Sequence, residues 1–204
     1  MADLLDAARE VDSFCRRQRW RHCVIGGMAL LRWGEQRMTK DVDLTLLTGF
    51  GGEEPFIEVL LAEFVPLVPE PMAFALQNRV LPVRTKAGFK ADFAFGALPF
   101  EESAVTRASD YAYAEGVVLR VCSAEDLVVM KSFASRPQDW IDIEGVLIRQ
   151  RGALDWTYIY QNLEPLASLK EAPELVVRLR ALEKEHRTSC ITPAAPTPSS
   201  PARP

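Results

Sequence analysis

Hydrophobic residues recur along this chain at two spacings, and the change from one to the other divides it. Leu4, Ala8, Val11 and Cys15 form a stripe at three-to-four spacing with Leu5 and Phe14 beside it, which predicts an opening amphipathic helix. "HCVIGG" reads as a short buried strand ended by glycines, and "GMALLRWG" as a helix that starts at the pair and stops at Gly34. "DVDLTLLT" has the alternation of a strand, "GFGGEEP" is a turn, and "EPFIEVLLAEF" is a second helix on the sheet. Strands are also expected in "MAFALQNRVLPVRT", "FKADFAF" and "GVVLRVCS".

From Ser123 to about His186 the helical spacing takes over, through "SAEDLVVMKSFASR", "PQDWIDIEGVLIRQR", "DWTYIYQNLEPLASL" and "PELVVRLRALEKEH". Helix starts are marked by Ser123 with Asp126 three residues on, by Pro137 and by Pro173. The closing "TSCITPAAPTPSSPARP" has little to bury and predicts a disordered tail. The expected architecture is α/β (α+β): a small mixed β-sheet core flanked by helices over residues 1–122, a helical C-terminal region over 123–187, and the tail over 188–204.

Composition narrows the class. With 204 residues, 48% of them hydrophobic, the chain can build one sizeable core. No apolar run approaches the ~18 residues of a membrane span, and "MADLLDAAREVD" lacks the basic-then-apolar order of a secretory signal, so a soluble cytoplasmic protein with no membrane partner is expected. Cys15, Cys23, Cys122 and Cys190 are scattered without a C-x-x-C pair, and His22 and His186 are the only histidines; this pattern argues against zinc and for reduced thiols. A net charge of -4 provides no global field for nucleic acid. Locally, "CRRQRWRH" interleaves Trp20 with Arg16, Arg17, Arg19 and Arg21, which fits either a track for RNA phosphates or a solvated helix end.

The chemistry concentrates in "IGGMALLRWGEQRMTKDVDL". Residues two apart on a strand face one side, so Asp41 and Asp43 project together while Val42, Leu44 and Leu46 supply packing. Two adjacent carboxylates repel, which raises the pKa of one unless a divalent cation lies between them. Oxygen-only ligands of this kind suit magnesium. Gly26 and Gly27 stand where a strand enters a helix, and free N–H groups there can bind a phosphate that no side chain blocks. "TGFGG" lacks the lysine and hydroxyl of a P-loop and reads as a hairpin or lid.

Together these residues resemble the signature of the minimal nucleotidyltransferases of the DNA polymerase beta superfamily, in the AbiEii-like form found in abortive-infection and toxin–antitoxin proteins. Gly26, Gly27, Ala29, Arg37, Thr39, Asp41 and Asp43 fit its G-G-x-A, spacer, R-x-T-x-D-x-D pattern. The resemblance implies a third carboxylate, for which "RTKAGFKADFAF" offers Asp92, and a later helix with a lysine followed by R-x-x-D, for which Lys131, Arg136, Asp139 and Asp142 stand ready. It covers Val24 to about Asp142. Serine, which follows the glycine in many members of the superfamily, is missing here.

What the resemblance implies is magnesium- or manganese-dependent transfer of a nucleoside monophosphate from an NTP to an acceptor hydroxyl on RNA, including transfer RNA, or on protein, by the toxin of a pair with a cognate antitoxin. Asp41, Asp43 and Asp92 would be the metal-binding catalytic residues. Gly26, Gly27, Arg37, Thr39 and Lys131 would bind the nucleotide. The alternatives are an aminoglycoside-type small-molecule acceptor, which calls for an acidic pocket, or a non-catalytic binding member of the fold. From the pattern alone, Asp92 also fits an outward polar strand position, Lys131 a solvated helix face, and Arg136, Asp139 and Asp142 a structural ion-pair cluster.

Overall fold

A computed structural model describes residues 2–150 and 152–189. In chain order the elements are α1 (Ala2–Arg17), β1 (His22–Val24), α2 (Gly26–Trp33), β2 (Asp41–Leu47), α3 (Glu54–Glu63), β3 (Val65–Pro66), α4 (Pro71–Asn78), β4 (Val80–Arg84) and β5 (Lys90–Gly96). Then come α5 (Pro99–Arg107), β6 (Ser109–Ala114), β7 (Val117–Val121), α6 (Ala124–Ala134), α7 (Pro137–Gln150), α8 (Trp156–Leu169) and α9 (Glu174–Ser189). The strands form one mixed sheet in the order β3-β4-β5-β2-β1-β7-β6. At its centre β2 runs antiparallel to β1 and parallel to β5, and β1 runs parallel to β7.

The alternation read from "DVDLTLLT" is realised. Val42, Leu44 and Leu46 are fully buried, and so are Ala91 and Phe93 on the neighbouring β5, whereas Asp41, Asp43 and Asp92 keep partial access to solvent. Helix α1 packs along β1, β2, β5 and β7 through Ala7, Ala8 and Val11. Each large apolar side chain so buried contributes roughly 1.5–3 kcal/mol relative to exposure. The helical half docks through α6, which packs against α2, α7, α8 and α9. Ser123 caps α6 by accepting from the Asp126 N–H, and Asp126 returns the bond to the Ser123 N–H, as the spacing predicts.

One expected strand is corrected. Residues 72–78 of "MAFALQN" form α4, and the strand begins only at Val80. Pro71 supplies the fixed φ of a first helical turn, the residues after it are unbranched at Cβ, and Arg79 ends the helix in the left-handed conformation at φ 53°. The edge strands β3 and β6 and the helix α5 are elements the hydrophobic pattern does not announce. Of the expected tail, Thr188 and Ser189 end α9, and residues 190–204, with Cys190, lie outside the described residues. Cys15, Cys23 and Cys122 are buried free thiols whose pKa values burial pushes far up, so they are inert as nucleophiles at neutral pH. Among the described residues no helix is long and apolar enough to cross a membrane.

Candidate active site

Register brings the acids together. β2 and β5 lie side by side in parallel with Asp43 opposite Asp92 and Asp41 opposite Lys90, so all four side chains project from one face. One carboxylate oxygen from each of Asp41, Asp43 and Asp92 lies within 4.8 Å of the others. Burial, followed by the charges of Asp41 and Asp92, pushes the Asp43 carboxyl up to about 6, against the pull of Lys90 and of a hydrogen bond from the Gly27 N–H. Lys90 Nζ donates to Asp92 Oδ2 at 2.6 Å. Asp92 Oδ1 is buried and has no hydrogen-bond partner among the described residues. An orphaned carboxylate oxygen beside two further carboxylates fits a divalent cation, because an oxygen-ligand metal satisfies the lone pairs and removes the repulsion together.

The glycine pair is needed for sterics as well as conformation. Gly26 opens α2 at φ 60°, and a Cβ there would come within 2.1 Å of Asp43 Oδ2. A Cβ on Gly27 would come within 2.3 Å of Thr39 Oγ1. The two glycines thus let the N-terminus of α2, with its partial positive charge, close directly onto the acidic strand. Thr39 packs on Gly27 and directs its hydroxyl to the Asp41 carbonyl at 3.4 Å.

Opposite the acids stands a network of ion pairs. Arg37 Nε and Nη2 hold Asp142 in a two-pronged bond at 2.8 and 2.9 Å. Lys131 Nζ reaches Asp142 at 2.6 Å and Asp139 at 3.2 Å, and Arg136 Nε reaches Asp139 at 2.7 Å. Burial acts to raise Asp142, but hydrogen bonds from Arg37, Lys131 and Gln138 outweigh it and hold the carboxyl at about 2. Asp139 is lowered in the same way, by Arg136 and Lys131 against burial. Three cations face two carboxylates, which leaves the network with surplus positive charge toward the triad.

Gly26, Gly27, Arg37, Thr39, Lys131 and the three aspartates all line one open cavity of about 720 Å³. Lys131 is only 4% exposed, which removes the reading of a solvated helix face. Arg136, Asp139 and Asp142 form an ion-pair cluster that ties α6 and α7 to the segment before β2. Two readings left open by the sequence narrow. Arg16 is paired with Asp12 and Asp110 and Arg21 with Glu102, while Trp20 packs against Phe14 and Phe56 at 5.5 and 5.0 Å between ring centroids; the ring is committed to packing and is no free base platform. The "TGFGG" loop leaves the end of β2 away from the triad, about 13–17 Å of strand from Asp43, and Phe50 lies under Arg79. Lys90 and Lys40, which line the cavity, were not singled out from sequence; for Lys90 the signal was its place two residues before Asp92 on an alternating strand.

The fold is that of the nucleotidyltransferases. An antigenic nucleotidyltransferase-like protein from Paracoccidioides brasiliensis has a similar structure, with a TM-score of 0.51 and 14% identity over 88% of this chain and 93% of that one. The antibiotic-resistance factor ANT(2'')-Ia gives a TM-score of 0.48 at 16% identity over 90% and 97% of the two chains. For the lincosamide adenylyltransferase LnuA with bound lincomycin the values are 0.46 and 14%, over 67% and 91%. No curated protein matches the sequence. The model of the nucleotidyl transferase AbiEii toxin family, described as a Type IV toxin–antitoxin system, matches residues 23–158, about two thirds of the 204 residues. This chain belongs to that family, and the resemblance read from its signature residues is borne out.

Proposed function

We propose that the protein transfers a nucleoside monophosphate from an NTP to an acceptor hydroxyl on RNA, transfer RNA included, or on protein, and that it acts in the cytoplasm as the toxin of a pair with a cognate antitoxin. The observation that carries the chemistry is the convergence of Asp41, Asp43 and Asp92 with the Asp92 Oδ1 atom left unpaired. Asp41, Asp43 and Asp92 would hold magnesium or manganese, which would supply charge neutralisation on the triphosphate and a lowered pKa at the acceptor hydroxyl.

The chain's own residues do the rest. In this reading residues 1–122 carry the triad and Arg37, and residues 123–187 contribute Lys131 and Arg136 with their partners Asp139 and Asp142. Gly26 and Gly27 let the amide end of α2 close on Asp43 and Thr39, and in this reading that end of the helix, where the Gly27 N–H also donates to Asp43, holds the β and γ phosphates. Thr39 holds the entry to β2 against Gly27. Arg37 and Lys131, which share Asp142, orient the triphosphate and offset the charge that grows on the departing pyrophosphate. Asp92 orients the acceptor hydroxyl and helps take its proton; the acceptor oxygen attacks the α phosphorus in line, the bond from that phosphorus to the bridging oxygen breaks, and pyrophosphate leaves with that electron pair.

The aminoglycoside alternative calls for acid beyond the triad. Beyond the triad the cavity adds a single acid, Asp139, which Lys131 and Arg136 already hold, against the five cations Arg37, Lys40, Lys90, Lys131 and Arg136, a balance that supports an anionic or neutral acceptor over a polycation. The test is transfer from each α-labelled NTP, with magnesium or manganese, into a total cell extract, with nuclease and protease digestion of the product and an Asp41→Ala control. Label that yields to nuclease or to protease identifies the acceptor class. Label that survives in the Asp41→Ala protein overturns the assignment.

A further inference from the structure

We propose that Lys90 is a tethered counter-cation that opposes divalent metal at Asp92 and thereby sets the metal concentration at which the triad fills. The inference rests on the reading of Asp41, Asp43 and Asp92 as metal ligands. Lys90 is paired across the sheet with Asp41, and its ammonium lies 2.6 Å from Asp92 Oδ2. The other lysines of the cavity are placed differently: Lys131 is tied to Asp139 and Asp142, and Lys40 makes no ion pair with the triad. Lys90 is therefore the cation built onto the acids.

Its pairing is one-sided. The ammonium takes Oδ2 and leaves Oδ1 buried without a partner, so Asp92 is half satisfied. A divalent ion brought to Oδ1 would share one carboxylate with the ammonium, and the two cations repel across it. The Lys90 side chain is 45% exposed, so its four-carbon stem can swing the charge into water as the metal enters. Metal binding must then loosen the Lys90–Asp92 pair by the same factor by which the pair weakens metal binding. In the metal-free protein, Lys90 offsets the mutual repulsion of three clustered carboxylates.

The experiment is calorimetric titration of manganese chloride, without nucleotide, into the wild type and the Lys90→Gln, Lys90→Arg, Lys40→Gln and Asp41→Asn variants. Loss of a partly exposed ion pair predicts roughly five-fold tighter manganese binding by Lys90→Gln, with Lys90→Arg and Lys40→Gln within about two-fold of wild type. Lys90→Gln should also melt lower without metal and regain the difference at saturating manganese. In the wild type, the Lys90 side-chain NMR signals should shift as magnesium saturates the protein and the Asp92 bond is lost, a readout that needs no substitution. Equal or weaker manganese binding by a folded Lys90→Gln protein, or Lys90 signals unmoved by magnesium, overturns the proposal. Wild-type binding that is lost in Asp41→Asn but unchanged in Lys90→Gln overturns the Lys90 inference alone. Absence of wild-type binding overturns the metal reading and this inference with it.

Discussion

Gly26 stands so close to Asp43 that a single added methyl carbon would come within 2.1 Å of Oδ2. The left-handed φ of 60° at Gly26 imposes a second penalty, about 1–2 kcal/mol for an L side chain. Gly26→Ala should therefore lose at least that much stability in urea titration and displace the Asp43 carboxylate. Nucleotidyl transfer should fall on the order of a hundred-fold, with loss of the metal-dependent rise in melting temperature. A variant with wild-type transfer would show that the close approach is dispensable.

Asp43→Asn should stabilise the metal-free protein at alkaline pH. The folded-state value of about 6 lies above the ordinary 3.8, so folding disfavours the ionised form. The favourable contribution is fully present below pH 3.8 and is lost as pH rises through 6. Thermal melts without metal should show the variant above wild type by about 5 °C at pH 8 and level with it near pH 4. Manganese with an NTP should raise the wild-type melting temperature at pH 8 and leave the variant unmoved, because a ligand charge is gone.

Asp142 has the opposite sign. Its carboxyl is held at about 2, below the ordinary 3.8, so the stability it contributes is present above pH 3.8 and is lost as pH falls through 2. Asp142→Ala frees Arg37 and leaves the buried Lys131 with Asp139 alone. Urea titration at pH 7 should show a loss of about 3 kcal/mol, against at most about 0.5 kcal/mol for Glu164→Ala at the exposed Arg180–Glu164 pair.

Trp20→Ala should behave as a packing variant. The ring fills the space between Phe14 and Phe56, and its removal should cost about 2–3 kcal/mol in urea titration. If the protein binds RNA, affinity measured on the folded fraction should stay within about two-fold of wild type. A selective loss of RNA binding with unchanged stability would restore this ring as a base platform.

The local part of this molecule was legible from residue order. A period of two puts Asp41 and Asp43 on one face of β2, glycines at 26 and 27 mark a strand-to-helix turn, and Ser123 with Asp126 announces the start of α6, because each signal spans only a few bonds. Local signals also misled. The segment 72–78 alternates well enough to pass for a strand, yet Pro71 and a run of residues unbranched at Cβ make it α4. "CRRQRWRH" shows its cations in order but not the acids at positions 12, 102 and 110 that neutralise two of them.

Sequence by itself thus determined the family signature, the helical second half and the carboxylate pair. Only tertiary structure decided that Asp92 stands opposite Asp43, because that depends on which strand lies beside β2 and in what register. It also decided the state of the cations: Arg37 meets Asp142 across 105 residues, Lys131 is buried between two aspartates, and Lys90 rests on Asp92. Charge acts through space, and no spacing along the chain reports which opposite charge will arrive within 3 Å once the helices have packed on the sheet.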